Sequence, residues 1–394
     1  MKIRVVTPWY PDYFSVSSGI FVAQQVTALR RLGHEVTVDV LQIFPAPAGP
    51  IPESVVGAMR ALAAGSRDAM FPTSDGVTYI PTPVPARGGP MGRAHAMTAA
   101  LTMLDEFKKE DYDLIHAHLG MPTAWAVAMQ RTDRPLVVTE HQSTLANVLA
   151  EPEAMEAYAE IVQRASAFIA VSEHLAGQIA DRLGEWARSR IDVIPNIADL
   201  GDITFRERAT PRFGSWIYVG GLMAHKGVQS LLEVFATYRE HHDESATLTL
   251  VGAGPLREWV EEFADSHRLS ESTRLVGGVT HDRLGAYLDE ADVMVHLSPA
   301  ETFGIATLEA IGAGLPVVSL RNSGAVATWG DIEEQCGLLL SLESSSREIA
   351  SAIAELRDSP QRLDPFAGRQ AVIDRYSPEV VGSQLEKIYE GTLS

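Results

Sequence analysis

Two glutamates stand eight positions apart in "PAETFGIATLEAIGAGLPVVS", residues 299–319, around an aromatic–glycine pair and ahead of a Pro-led apolar strand. Glu301 falls in the loop after the strand-like "DVMVHLS", and "FGIATLEAIGAG" reads as a helix from Phe303, with Glu309 about two turns in. Eight helical residues span ~12 Å, about the length of a nucleoside-diphosphate sugar from hexose to ribose. The amides of Phe303, Gly304 and Ile305, free at a helix start, would point at an anion or a hydroxyl. Carboxylates are poor partners for phosphate but good acceptors for sugar hydroxyls. An acid at each end with amides between them suits a ligand hydroxylated at both ends and anionic in the middle. In isolation such a pair is more often a solvated loop residue and a surface helix residue, so the surrounding elements must decide.

Those elements alternate between short β-branched runs and amphipathic stretches of helical period. The first half holds "IRVVTP", "EVTVDVL", "VTYI", "DLIHAH", "PLVVTE", "AFIAVS" and "IDVIPN", with helical stretches at 19–32, 91–109, 121–130, 153–165 and 173–183. Buried strands joined by crossover helices predict an α/β, doubly wound parallel sheet. The proline- and glycine-rich stretch from Phe44 to Gly92, with a helical insert near 53–65, reads as a long surface excursion. After "ADLGDITFRERATPRFG" a second sheet begins at "SWIYVGG" and continues through "TLTLVG", "TRLVG", "DVMVHLS", "LPVVSL" and "GLLLS". Ligands of open α/β sheets sit at the carboxyl ends of strands, so two such sheets facing one another would place a site in a cleft between them.

With that context, "ETFGIATLEAIGAGLPVV" resembles the donor-binding segment of glycosyltransferase family 4, retaining enzymes with two Rossmann-like domains (the GT-B fold). The resemblance runs along nearly the whole chain. It implies that Glu301 holds the hydroxyls of a donor sugar, Glu309 the ribose, and the amides of Phe303, Gly304 and Ile305 the sugar. "YVGGLMAHKGV" resembles the first loop of the family's C-terminal domain, in which Lys226 would meet the diphosphate and offset the charge of the leaving group. The pattern carries an arginine where this chain has Gly221, with His225 or an arginine elsewhere as replacements. "LVGAGPL" is a strand-to-helix turn whose Gly252 and Gly254 read first as packing glycines. "SSGIFVAQQVTALRRLGHEVTVD" resembles the family's opening loop, in which Gly19 lets backbone approach a ligand and Ser17 and Ser18 are nearby donors. "IPNIAD" resembles the interdomain "PNG" turn, with Ile197 in place of the glycine.

In "DLIHAHLG", His116 and His118 alternate and so share a strand face. His118 matches the position where the family's histidine faces the reacting sugar; His116, one step deeper, reads as a satisfied core histidine. Glu140 and His141 follow the next strand and are acceptor-side candidates with Ser18. A histidine pair raises a metal, but no third ligand lies near, and no metal or other cofactor is expected. The "DYD" at 111–113 precedes a strand and reads as a strand-entry turn, not a metal motif.

The whole reading is a retaining hexosyltransferase, metal-independent, moving sugar from a nucleotide-diphosphate sugar (UDP by family frequency) to a hydroxyl acceptor such as an antibiotic aglycone, a cyclitol or a polysaccharide precursor. Its catalytic residues would be His118, Glu301 and Lys226. Residues 1–200 would form the acceptor domain and 201–376 the donor domain, with a helix over 377–394 returning to the first. Alternatives are a nucleotide-sugar epimerase or hydrolase of the same fold and a non-catalytic nucleotide-sugar binder. A dinucleotide oxidoreductase lacks its G-x-G-x-x-G after the first strand. The net charge of −19 disfavours nucleic acid and anionic lipid, leaving the Pro-rich excursion as the one stretch through which a membrane would be met. The apolar runs fall short of the ~20 residues a spanning helix needs. The opening "MKIRVVTPWYP" reads as a strand and not a signal peptide, and the single Cys336 suits a reducing cytoplasm. Nothing in the sequence sets the oligomeric state.

Overall fold

The computed structural model describes residues 1–11, 16, 18–45, 71–72, 75–84, 88–104, 112–207 and 212–394. Ser17, Asp111, the insert expected over 53–65 and much of the 44–92 excursion lie outside them. The chain forms two compact units. One comprises Met1–Pro11, Ser18–Pro195 and Val381–Ser394, and the other is built on Asn196–Val380.

The first unit holds an eight-stranded sheet among the described residues. Its strands are β1 (Lys2–Thr7), β2 (Glu35–Pro45), β3 (Phe71–Pro72), β4 (Val77–Val84), β5 (Leu114–His118), β6 (Leu136–Glu140), β7 (Ala167–Ala170) and β8 (Ile191–Val193). The spatial order is β3-β4-β2-β1-β5-β6-β7-β8. Every pairing is parallel except the short antiparallel β3–β4 contact. The strand seen in sequence as "VTYI" runs on through Val84, so part of the supposed excursion is sheet. Pro81 and Pro83 pair there with Gln42 and Phe44 of β2, and among the described residues β4 has β3 on its other side only at Thr78 and Tyr79. Prolines survive in a strand where one edge is open.

The second unit has β9 (Ser215–Val219), β10 (Thr247–Val251), β11 (Thr273–Gly277), β12 (Val293–His296), β13 (Val317–Leu320) and β14 (Gly337–Leu340). They form an all-parallel sheet in the order β11-β10-β9-β12-β13-β14. Its inner strands β12 and β13 are buried along their whole length because both faces are covered, whereas the edge strand β11 is only partly buried. The helix Val228–His241, for example, buries Leu231, Leu232, Phe235 and Tyr238 in the cluster that holds Trp216, Tyr218, Leu248 and Leu250. Each such large side chain contributes about 1.5–3 kcal/mol on leaving water.

Both sheets reverse their winding once, between β1 and β5 in the first and between β9 and β12 in the second. At such a reversal the loops leaving adjacent strands run to opposite sides and open a crevice at the carboxyl ends. The loop after β9 carries Lys226, and the loop after β12 carries Glu301. The loop after β1 leads to Ser18 and Gly19, and β5 ends on His118.

Candidate functional site

Lys226 and Glu301 are 75 positions apart in sequence and meet in space. Nζ of Lys226 donates to both carboxylate oxygens of Glu301, at 2.8 and 2.9 Å. What brings them together is backbone proximity at Gly227. This residue has φ of 71°, and a Cβ there would sit 1.9 Å from the Leu297 carbonyl oxygen. Only glycine permits both the left-handed conformation and that contact. The Ser298 hydroxyl then ties the two loops, donating to the carbonyls of His225 at 3.2 Å and Ala300 at 3.0 Å. Asn322 at the end of β13 braces the same loop: Nδ2 donates to the Ser298 carbonyl, and Oδ1 accepts from the Ala325 amide to cap the next helix.

His296, the last residue of β12, completes the cluster. Its ring stacks on Tyr218 with centroids 5.3 Å apart, and Nε2 lies 3.9 Å from Oε1 of Glu301. Burial alone would raise the Glu301 carboxyl, but the charge of Lys226, the neighbouring His296 ring and hydrogen bonds from Lys226 and Ser298 hold it below its ordinary value. Burial pushes the His296 ring down. The site is therefore an ionised acid against a lysine with a neutral imidazole alongside.

The helix that carries Glu309 spans Ile305–Gly312, with Gly304 at φ 91° as its N-cap. This corrects the expected start near Phe303: the left-handed Gly304 interrupts the helical run, so Glu301 lies in the loop and the ~12 Å helical span does not describe the two acids. Glu309 is buried, and Nε2 of His281 lies 2.9 Å from its Oε1. The Phe303 side chain is buried edge-on against Tyr376, centroids 5.3 Å apart, and its carbonyl accepts from the Thr328 hydroxyl at 3.3 Å. Gly221 offers no cation. Its carbonyl accepts from the Tyr218 hydroxyl at 2.9 Å, and among the described residues Lys226 is the cation this cluster contains. Gly252 and Gly254 are packing glycines, since a Cβ would meet the Gly220 carbonyl oxygen at 1.8 Å and that of Leu222 at 2.4 Å.

In the first unit His116 and His118 share one strand face, their ring centroids 4.4 Å apart. His116 is a satisfied core histidine: Nε2 lies 2.7 Å from the Thr139 hydroxyl and Nδ1 2.8 Å from that of Tyr389. Nδ1 of His118 lies 2.9 Å from Nε2 of His141, and the two rings stack. Burial drives the His116 ring down to about 3; burial with His116 and His141 nearby takes His118 well below its ordinary value. The His116 and His118 rings are therefore neutral, and His118 meets His141 through a hydrogen bond between ring nitrogens.

Glu140 corrects an expectation. Its carboxylate is fully buried and accepts from the amides of Gly120, His141 and Gln142 and from the Tyr158 hydroxyl, at 2.9–3.0 Å. With four donors already in place, this carboxylate is turned into the unit and not toward solvent. Gly19 is explained by packing: at φ 63°, a Cβ would lie 2.2 Å from the Trp9 carbonyl oxygen. Ser18 adjoins it at the start of the helix Ile20–Arg31. Asp113 takes a structural hydrogen bond from the Lys2 amide at 2.8 Å. Among the described residues no three His, Cys, Asp or Glu side chains cluster as metal ligands, and no helix is long and apolar enough to cross a membrane.

Sequence reasoning missed His296, His281, Asn322 and Tyr389. His296 ends a strand, and the rule that singled out His118 would have found it. His281 and Tyr389 carry no local signal, because their partners are remote in sequence, and Asn322 signals locally only as a helix cap.

A family model described as Glycosyltransferase Family 4 matches residues 18–202, and one described as Glycosyl transferases group 1 matches residues 210–369. Curated relatives include glycogen synthase of Mycobacterium tuberculosis, 28% identical over 99% of this chain and 94% of the relative. Another is MMP alpha-(1->4)-mannosyltransferase of Mycolicibacterium hassiacum, 24% identical over 95% of each chain. Among solved structures, sucrose-phosphate synthase from Thermosynechococcus elongatus shares the fold with a TM-score of 0.72 at 19% identity, over 99% of this chain and 98% of the other. HepE of Anabaena, solved with UDP and glucose, has a TM-score of 0.67 at 18% identity over 98% of each chain. Two Rossmann-like units with these motifs at their strand ends, each matched by its own family model, make the chain a member of the family 4, group 1 glycosyltransferases, enzymes of the GT-B fold.

Proposed function

We propose that this enzyme transfers a hexose-type sugar from a nucleotide-diphosphate sugar, with UDP as the carrier, to a hydroxyl of a glycan or cyclitol acceptor, retaining anomeric configuration. The donor is assigned to the second unit and the acceptor to the first. The observation that carries the reading is the Lys226–Glu301 pair at the β9/β12 reversal. A lysine for phosphate oxygens and an ionised acid for sugar hydroxyls stand side by side, where the two halves of one donor would be adjacent. The UDP and glucose bound by Anabaena HepE, and the UDP and GlcNAc bound by the pneumococcal O-GlcNAc transferase GtfA, support the choice of carrier.

In this scheme Lys226 turns from Glu301 to the diphosphate and neutralises charge that grows as the glycosidic C1–O bond breaks. Glu301 is released to orient the sugar hydroxyls. The acceptor oxygen bonds to C1 on the face the diphosphate leaves, and its proton passes to the departing phosphate oxygen. His118, neutral and held by His141, orients a hydroxyl of the reacting sugar. No step calls for a metal or another cofactor, and the chemistry suits a cytoplasmic protein with access to nucleotide sugars.

The test is incubation of the purified protein with UDP-glucose and related donors and a panel of hydroxylated acceptors, read by mass spectrometry and by the anomeric proton coupling of the product. A new α-glycoside from an α-linked donor supports the proposal. Free nucleotide and free sugar with no glycoside, across donors that bind, would overturn transfer in favour of hydrolysis.

A further inference from the structure

Glu309 belongs to the helix Ile305–Gly312, but its orientation is set from elsewhere. His281, the first residue of the helix His281–Glu290, places Nε2 at 2.9 Å from Oε1 of Glu309. Oε2 accepts no hydrogen bond among the described residues. The side chains are 17% and 6% exposed, so neither partner is loosely solvated. The hydrogen bond to Glu309 raises the His281 ring above its ordinary value despite burial, with the charges of Glu309, Asp199 and Asp202 acting the same way. The ring is thus suited to donate to Glu309 as a neutral or a charged imidazole.

A free glutamate has three side-chain torsions, and a ligand that recruits it must freeze them. Tethering one oxygen removes most of that freedom beforehand and leaves the other as an acceptor of known direction. We propose that His281 is the positioning residue for nucleotide ribose recognition: by holding Oε1 it turns Oε2 of Glu309 toward the ribose hydroxyls. This inference rests on the reading of the second unit as the nucleotide-sugar site. It adds a residue that no motif suggests and predicts that discrimination between ribose and its deoxy analogues depends on a histidine that does not itself meet the ribose.

The test compares affinities for UDP and for 2′,3′-dideoxy-UDP, which lacks both hydroxyls, by titration calorimetry. The full chain should prefer UDP by tenfold or more, as a site built to bond a hydroxyl rejects the analogue without it. His281→Ala should lose most of that preference by weakening UDP about tenfold while leaving dideoxy-UDP nearly unchanged. His281→Gln, which restores an amide donor near the Nε2 position, should recover part of it. A purely structural histidine would weaken both nucleotides alike or neither. Either of those results in a folded His281→Ala variant, with Glu309→Ala abolishing the preference, would overturn the role of His281 alone. Glu309→Ala that keeps the full preference would instead overturn the ribose assignment on which the inference stands.

Discussion

The two units place polar clusters at the same topological point and build them in opposite ways. At the β1/β5 reversal of the first, His116 and His118 are neutral rings linked to His141, to Thr139 and to Tyr389. Glu140, a carboxylate beside them, is turned inward and saturated with donors. At the β9/β12 reversal of the second, an ion pair, Lys226 with Glu301, stands with a second acid, Glu309, held by His281. Topology assigns the place; the partner decides the charge state. A carboxylate beside a lysine remains ionised despite burial, whereas an imidazole surrounded by hydroxyls and other imidazoles gives up its proton. The ionic cluster can exchange its internal partner for a charged ligand. The neutral one can only direct hydrogen bonds.

The comparison breaks most visibly in turnover. Glu301→Ala and His118→Ala should each lower kcat/KM by about 10²–10³-fold, but only the first should also weaken sugar-nucleotide binding. Steady-state kinetics with separate donor titrations would check this, and a His118→Ala enzyme with full activity would remove the first cluster from catalysis. Next in size is stability. Glu140→Ala leaves three buried amides and the Tyr158 hydroxyl without an acceptor, so unfolding free energy should fall by at least about 3 kcal/mol, measured by urea denaturation. A loss of only a few tenths would return Glu140 to the list of ligand-facing residues.

A third test uses pH. The His116 ring has a native value of about 3 against 6.5 when unfolded, so between those values the unfolded chain binds a proton that the native chain does not. The first unit should therefore be most stable above about pH 6.5 and lose up to about 1.4 kcal/mol per unit as pH falls below it. His281 works in the other direction. Its raised ring contributes fully below 6.5 and loses that contribution as pH rises through the native value. Hydrogen exchange of the β5 and β12 amides across this range would resolve the two units, and His116→Gln should flatten the acid slope of the first. The smallest effect is expected from Tyr389→Phe, which removes one buried hydrogen bond to His116 and should cost about 1–2 kcal/mol. A larger fall in turnover than in stability would show that His116 transmits the loss to His118.

Much of this was legible before any coordinates. Alternating β-branched runs and helical stretches gave the strands and helices nearly in place, because those periods are written in neighbouring residues. Strand-end position and family pattern pointed to Lys226, Glu301, Glu309 and His118. What went unread shares one cause. Glu140 looked like His141 in sequence, but its side chain turns toward Gly120 and Tyr158 and not toward solvent. "PTPV" looked like loop because of its prolines, yet it pairs with β2 as the end of β4. The helix start moved from Phe303 to Ile305 because the conformation of Gly304 is set by the loop it closes.

The sequence by itself determined that this chain makes two parallel α/β units and which residue types stand at the ends of their strands, since periodicity and turn chemistry act over a few residues. Only the tertiary structure decided that Lys226 reaches Glu301, that His281 holds Glu309 and that Tyr389 closes on His116. Those pairings depend on strand order and on which backbones can approach within van der Waals contact, and both are fixed by packing between segments that are far apart along the chain.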